Sequence, residues 1–247
     1  MGDNGAGTGR HATSFEHSPE LWRDFPALVP GVLVAEGITP GVATDVRAAA
    51  FISAAAARLA TATESELPEI QAWRRAFAAM GLKPTQYRCA SESLLRRFRK
   101  EGTLPRLHPL VDLCNAVSLA FAIPVAVFDM AKVTGDLQVR YSGGDEDYLA
   151  FSGDLEHPAA GEVIFADQAR RAHARRWSNR QSAYSAVGNA TTDALIVAEA
   201  LHDSAASDIP ELVAAIAREL DAAWGIKPEI AVLTPASPRF TFGQSSE

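Results

Sequence analysis

The sequence predicts an α+β fold: a mixed, mostly antiparallel sheet, packed with helices on its N-terminal side and followed by a helical C-terminal extension. Three observations carry this expectation. Up to Phe121 apolar residues recur mainly at helical spacing. Between Pro124 and Val187 they form short β-type runs separated by Gly, Asp and Ser. After Thr191 helical spacing returns. The chain has 247 residues, 47% apolar and 21% charged, so it can bury a sizeable core.

Residues 1–14, MGDNGAGTGRHATS, are Gly-rich and polar and read as a disordered leader. Residues 15–235 read as one domain, and 236–247 as a loose tail. LVPGVLVAEGI holds a short strand near residues 32–36. Residues 42–61 are Ala-rich, with Phe51, Ile52 and Leu59 at helical spacing. A helix over 66–80 carries the stripe Ile70, Trp73, Phe77 and Met80, with Gly81 as its cap. SESLLRRFRK starts a helix at or just before Ser91. It places Leu94, Leu95 and Phe98 inward and Arg96, Arg97, Arg99 and Lys100 in water. Pro109 opens a further helix whose apolar residues wrap most of its circumference, which makes it central. VAVF, LQVRY, YLAF, EVIFA, AHARRW and QSAYSAV read as strands. Helices follow over 191–202, capped by Thr191 or Thr192, and over 208–223, capped by Ser207 or Asp208 with Pro210 in the first turn. The extension is expected to cover a sheet edge. EIAVLT is the last predicted strand.

Charge is unevenly distributed. Residues 71–110 carry nine Lys and Arg against two acids, whereas 141–167 carry seven acids and no Lys or Arg, within a net charge of −7. Such segregation either focuses a field for an anionic partner such as RNA or marks two solvated faces that pair with each other. The six histidines show no HxH or HxxxH spacing, and Cys89 and Cys114 form no CxxC pair, so no metal site is expected. The two cysteines read as reduced packing residues of a cytosolic protein. There is no GxSxG, no GxxxxGK[ST] and no GxGxxG after a strand. Serine-nucleophile and nucleotide chemistry therefore lack support. No run of ~18 apolar residues is present, so no membrane span is expected.

Three places hold candidate chemistry. Asp112 and Asn115, three apart, share one side of an apolar helix and either fix a loop or line a cavity. Glu146, in GGDEDYLAF, is either a solvated turn acid or a carboxylate placed to bind an amine or orient water. RRWSNRQS clusters Arg175, Arg176, Trp177 and Arg180. It either reads phosphate and stacks a base or faces the acidic segment.

The stretches YRCASESLLRR, LPRLHPLVDLCNAVSLAFAIPVAVFD, GDLQVRY, GEVIFAD and RRWSNRQS resemble free-standing proteins built on the B3/B4 module. That module is the editing domain in the β subunit of bacterial phenylalanyl-tRNA synthetase. The resemblance spans residues 71–202 and implies a cytoplasmic, trans-acting aminoacyl-tRNA deacylase of translation fidelity. It would cleave the ester of a mischarged tRNA with no metal, cofactor or covalent nucleophile, and its partner would be the tRNA acceptor end rather than DNA or a membrane. Asn115 and Glu146 fall on the implied catalytic positions. Asp112, Ala126, Asp129, Trp177 and Arg180 are implied to bind the substrate, and Arg88, Arg96, Arg97 and Arg176 the tRNA. Two departures stand out. Ala126 occupies the position of a histidine in the synthetase module, and the Gly-rich segment that closes its pocket is replaced by AHARRWSNRQS. Two other readings therefore stay open: a binder of aminoacyl-tRNA that does not hydrolyse it, and a pocket for a free amino-acid-like molecule.

Overall fold

A computed structural model describes residues 13–243, and the expected leader lies almost entirely outside them. The strands are β1 (Thr13–His17), β2 (Val29–Glu36), β3 (Val125–Asp129), β4 (Leu137–Tyr141), β5 (Tyr148–Leu149), β6 (Leu155–Glu156), β7 (Val163–Ala166), β8 (Ala172–Arg175), β9 (Arg180–Gln181), β10 (Asp193–Ala200), β11 (Glu229–Val232) and β12 (Arg239–Phe242). The helices are α1 (Pro19–Asp24), α2 (Asp45–Leu59), α3 (Pro68–Ala79), α4 (Ala90–Glu101), α5 (Pro109–Phe121) and α6 (Ala205–Trp224). The fold is α+β. One sheet has six strands in the order β12-β1-β4-β7-β8-β9, a second has four in the order β11-β2-β10-β3, and β5 and β6 form a separate pair. Among the named strands only β1 and β4 run parallel.

The four-stranded sheet is the central layer because both of its faces are apolar. On β2 and β10, Val32, Val34, Leu195 and Val197 face the six-stranded sheet together with Phe15, Phe128, Phe165 and Trp177. Their neighbours Leu33, Ala35, Ala194, Ile196 and Ala198 face α5 and α6, meeting Cys114, Val117, Ile209 and Ile216. Alternation with period two sends each half of the strand to a different core.

The helices expected over 42–61, 66–80, 91–100 and from Pro109 are α2, α3, α4 and α5. Four expectations are corrected. The stretch 191–202 holds β10 (Asp193–Ala200) rather than a helix, because ALIVA is the continuous apolar run of a strand buried on both faces, a pattern periodicity cannot separate from a buried helix. QSAYSAV holds only the end of β9 and a 3-10 turn at Ala183–Ser185, where Ser182 Oγ accepts from Tyr184 N. Residues 239–242 are not loose but pair antiparallel with β1. Finally, α6 lies across a face of the central sheet, not along its edge. It begins at Ala205, with Asp208 inside its first turn.

The approach of α6 to β2 depends on Gly31. A Cβ there would lie 2.6 Å from Val213 Cγ1 and 2.7 Å from Ile209 Cγ2. Gly31→Ala is expected to destabilise by about 1–3 kcal/mol through overpacking, seen as a lower urea midpoint at unchanged m-value.

Candidate active site

Glu199 is the residue around which a site forms. It is the penultimate residue of β10, on the same face as Leu195 and Val197, and it is buried. A carboxylate there requires partners, since an uncompensated buried charge is costly. Two are present. His17 Nε2, at the end of β1, lies 2.6 Å from Glu199 Oε1, and Trp177 Nε1 donates to the same oxygen at 2.9 Å. A carboxylate only accepts, so the His17 ring carries its hydrogen on Nε2. This contact ties the six-stranded sheet to the central one. Oε2 receives no hydrogen bond among the described residues, and Glu199 lines a cavity of about 70 Å³. The apolar wall of that cavity includes Ala126, Phe165, Ala174 and Val197, and its polar wall is Ser178, Asn179, Arg180 and Gln181. Ser178 Oγ is buried without a partner there.

The polar wall is a tight turn between β8 and β9. Arg176 (φ 47°) and Trp177 (φ 57°) both adopt the left-handed conformation. For non-Gly residues this costs roughly 1–2 kcal/mol each. The turn is held by hydrogen bonds from Trp177 N to Val163 O at 2.7 Å and from Arg176 N to Glu162 Oε1 at 2.9 Å. The Trp177 indole is fully buried, packing edge-on against Trp73 at 5.0 Å and Phe25 at 4.9 Å. It cannot stack a base, as the sequence suggested, because no face of it is exposed. Asn179 Nδ2 donates to Arg88 O at 2.7 Å and Gln181 Nε2 to Val127 O at 2.6 Å, which docks the turn against α4 and β3.

Of the sequence-predicted residues, Ala126, Trp177 and Arg180 meet in this cavity. Arg88 and Arg176 flank it, the Arg176 guanidinium lying 4.8 Å over the Tyr87 ring. Arg180 binds Glu156 through two hydrogen bonds and lies over Tyr148. The neighbouring Arg175, with Glu156 and Glu162, is a buried strut. RRWSNRQS thus does meet the acidic segment, whereas the basic segment 71–110 makes no ion pair with it among the described residues. There Arg74 and Arg88 pair with Glu92, Arg96 and Arg99 with Glu64, and Arg97 with Glu101. Lys100 makes no ion pair among the described residues.

The other predicted residues lie elsewhere. Asp112 and Asn115 share a face of α5, as their spacing requires, but it is the face toward α2 and α4. Leu110, Cys114 and Val117 take the side toward β3. The pair lines a second cavity of about 310 Å³ with Asp45, Ile52, Phe98 and Arg106, and Asp112 Oδ1 accepts from Leu107 N at 2.9 Å. Ala90, in the first turn of α4, lines the Glu199 cavity, while Phe98 and Gly102 at its other end line the second. At a rise of ~1.5 Å per residue this separates the two by roughly 15 Å. Asn115 and Ala126, both implied by the resemblance to serve one substrate, therefore line two different cavities. Asp129 closes β3 onto the following turn, accepting from Ala131 N and Thr191 Oγ1 and pairing with Lys132.

Glu146 lines neither cavity. Its carboxylate accepts from Ser142 Oγ at 2.5 Å, Arg140 Nη1 at 2.5 Å, Gly143 N at 3.1 Å and Gly144 N at 3.3 Å. Burial alone would raise its pKa, but the hydrogen bonds from Ser142, Arg140 and Gly143 outweigh it and bring the value down to about 2. Glu146 is a clasp for the loop after β4. Burial pushes both Cys89 and Cys114 up to about 12, which makes these thiols unreactive. Donor atoms of Glu69, His202 and Asp208 fall within 4.8 Å of one another. Arg58 Nη2, however, already holds both Glu69 oxygens at 2.7 and 2.9 Å, where a cation would have to sit.

His17, Ser178 and Glu199 escaped the sequence reading. Glu199 left one usable signal: a single acid inside ALIVAEAL. Assigning that stretch to a helix gave the acid a solvent face and hid it. His17 left none, because β1 lies far away in sequence.

Comparison with known proteins places this geometry in context. The model of the B3/4 domain family matches residues 72–210. The chain is similar to the phenylalanine–tRNA ligase beta subunit of Shewanella oneidensis, 35% identical over 74 residues, which is 30% of this chain and 9% of that protein. It is similar to the same subunit of Cereibacter sphaeroides, 30% identical over 94 residues, 38% of this chain and 12% of that protein. The matched stretch is thus a small part of those relatives. Among solved structures, an N-terminal fragment of the phenylalanyl-tRNA synthetase beta-subunit from Pyrococcus horikoshii aligns with a TM-score of 0.44 at 9% identity, covering 89% of this chain and 54% of that one.

Proposed function

Because this chain belongs to the B3/4 domain family, through residues 72–210, we propose that it is an aminoacyl-tRNA deacylase acting in trans on mischarged tRNA. The observation that carries the reading is the Glu199 carboxylate, one oxygen of which is fixed by His17 and Trp177, lining a cavity that Ser178, whose buried hydroxyl has no partner, lines as well. An aminoacyl ester is already activated, so a positioned water suffices as nucleophile. Glu199 Oε2 accepts a hydrogen bond from that water or from the α-ammonium group. Ser178 Oγ donates to the ester oxygen as charge develops on it. His17 and Trp177 are positioning residues that keep Glu199 Oε1 occupied and Oε2 turned to the substrate.

Substrate approach follows the basic surface. Arg88 and Arg176 flank the cavity, and α4 extends from it with Arg96, Arg97, Arg99 and Lys100 along its second half. On this reading the 3′ end enters at the turn of β8 and β9 while phosphates lie along α4. Arg97→Glu with Lys100→Glu is expected to weaken tRNA binding and to flatten the slope of log K against log salt by about 1 for each phosphate no longer neutralised. An unchanged slope would detach α4 from the tRNA path.

Incubation of the protein with a panel of mischarged tRNAs, scored by loss of the acyl group, tests the reading. Release of amino acid well above the spontaneous rate supports it. Every member surviving a molar excess of protein would leave holding without hydrolysis as the better account, in keeping with the absence of an imidazole at Ala126.

A further inference from the structure

The second cavity, lined by Asp112 and Asn115 of α5, carries chemistry that the deacylase reading leaves unused. Its charged groups are two carboxylates, Asp45 and Asp112, and one guanidinium, Arg106. Arg106 Nη1 binds both oxygens of Asp45 at 2.8 Å, in an ion pair exposed at both ends. Asp112 Oδ1 accepts from Leu107 N at 2.9 Å, and Asp112 makes no ion pair among the described residues. Two acids stand against one base, so a negative charge is left over whichever acid Arg106 holds. Asn115 is half-buried, and its side chain makes no hydrogen bond among the described residues. Its amide keeps its full bonding capacity for a ligand. The spacing of the two residues sets what they can share. Three apart on a helix, their Cβ atoms lie about 5–6 Å from each other. An ammonium group has three donors and no acceptor, and between Asp112 and the Asn115 carbonyl it donates to both. A carboxylate or phosphate in that place would meet the Asp112 charge. Ile52, Phe98 and Leu104 supply an apolar wall for the rest of the ligand. Val46 and Leu107, next in sequence to Asp45 and Arg106, are 90% and 68% exposed, so apolar side chains open to water also flank the ion pair.

We propose that this cavity is a second ligand site, for a primary amine carried on an apolar body, with Asp112 and Asn115 holding the ammonium group. The proposal does not rest on the deacylase reading. The test is calorimetric titration of the whole chain with phenethylamine and with phenethyl alcohol, which has the same apolar body and no charge. Wild type, Asp112→Asn and Asn115→Ala are compared, with circular dichroism to show that each is folded. Asp112→Asn keeps an oxygen to accept from Leu107 N, so the loop before α5 stays anchored. Wild type is expected to bind the amine at least about 10-fold more tightly than the alcohol, the scale of one charge-assisted hydrogen bond. Asp112→Asn should remove that preference, and Asn115→Ala should weaken amine binding by about 5-fold. Equal affinity for amine and alcohol in wild type, or no heat with either at millimolar concentration, would overturn the proposal. So would amine binding left unchanged by Asp112→Asn. Its loss in Glu199→Gln would then place the amine in the other cavity. The wild-type comparison needs no variant and holds even if a substituted chain does not fold.

Discussion

Glu199→Gln is expected to lower kcat/KM for deacylation by about 100-fold or more while leaving the fold in place. Losing a positioned charged hydrogen-bond partner or a proton acceptor is an effect of that size. The amide keeps the volume of the carboxylate, and its oxygen still accepts from Trp177 Nε1, so the contact at 2.9 Å has a replacement. What disappears is the negative charge at Oε2, on which binding of an ammonium group or polarising of a water depends. Glu199→Ala makes the contrast. It leaves the Trp177 and His17 N–H groups buried without an acceptor, at roughly 1–3 kcal/mol each, and should lower the melting temperature as well as the rate. A Gln variant with full activity would remove Glu199 from the chemistry and with it the argument for this cavity.

The charge of the substrate surface follows a different logic from the charge of the site. Most arginines of 71–110 are already paired, and Glu64 alone holds Arg96 and Arg99. Their guanidinium groups are about half exposed but Glu64 is buried, so its charge would be left uncompensated if both arginines turned to a phosphate, whereas the exposed Arg97–Glu101 pair can be exchanged at small cost. Arg175 is the opposite case. Buried against Glu156 and Glu162, it belongs to the scaffold of the β8–β9 turn and is unavailable to RNA.

What the sequence made legible was local. The helices α2 to α5 followed from apolar spacing, proline and caps, and the stretch from α5 into β3 followed from the motif. Asp112 and Asn115 were correctly placed on one face of α5. Which neighbour that face meets depends on how α2 and α4 pack, and no local spacing encodes that. The site itself is assembled from β1, β3, β10 and the turn after β8, segments up to 182 positions apart. Its central acid lay in a run that reads equally as buried helix or buried strand. The β8–β9 turn was marked by its basic residues, yet its shape comes from backbone strain at Arg176 and Trp177 that their side chains do not announce.

Glu146, the acid the sequence favoured, supplies the second large prediction. Its four hydrogen bonds make it a structural residue, so Glu146→Ala is expected to destabilise by about 3 kcal/mol, leaving the Gly143 N–H without an acceptor and the Arg140 guanidinium without its carboxylate. At about 2–4 °C per kcal/mol for a chain of this size, the melting temperature should fall by roughly 6–12 °C. The pH dependence has a definite sign. The folded pKa, about 2, lies below the ordinary 4.5, so the stabilisation is complete above pH 4.5 and is lost as pH falls through about 2. Over that window Glu146→Gln should lose stability less steeply than wild type. Below the Tm of the variant, deacylation should persist at a rate within a few-fold of wild type, because the clasp stands outside the Glu199 cavity. A variant with unchanged melting temperature and no activity would reverse this assignment. It would return Glu146 to the catalytic place that the family resemblance implies, and it would mean that the loop after β4 moves onto the substrate.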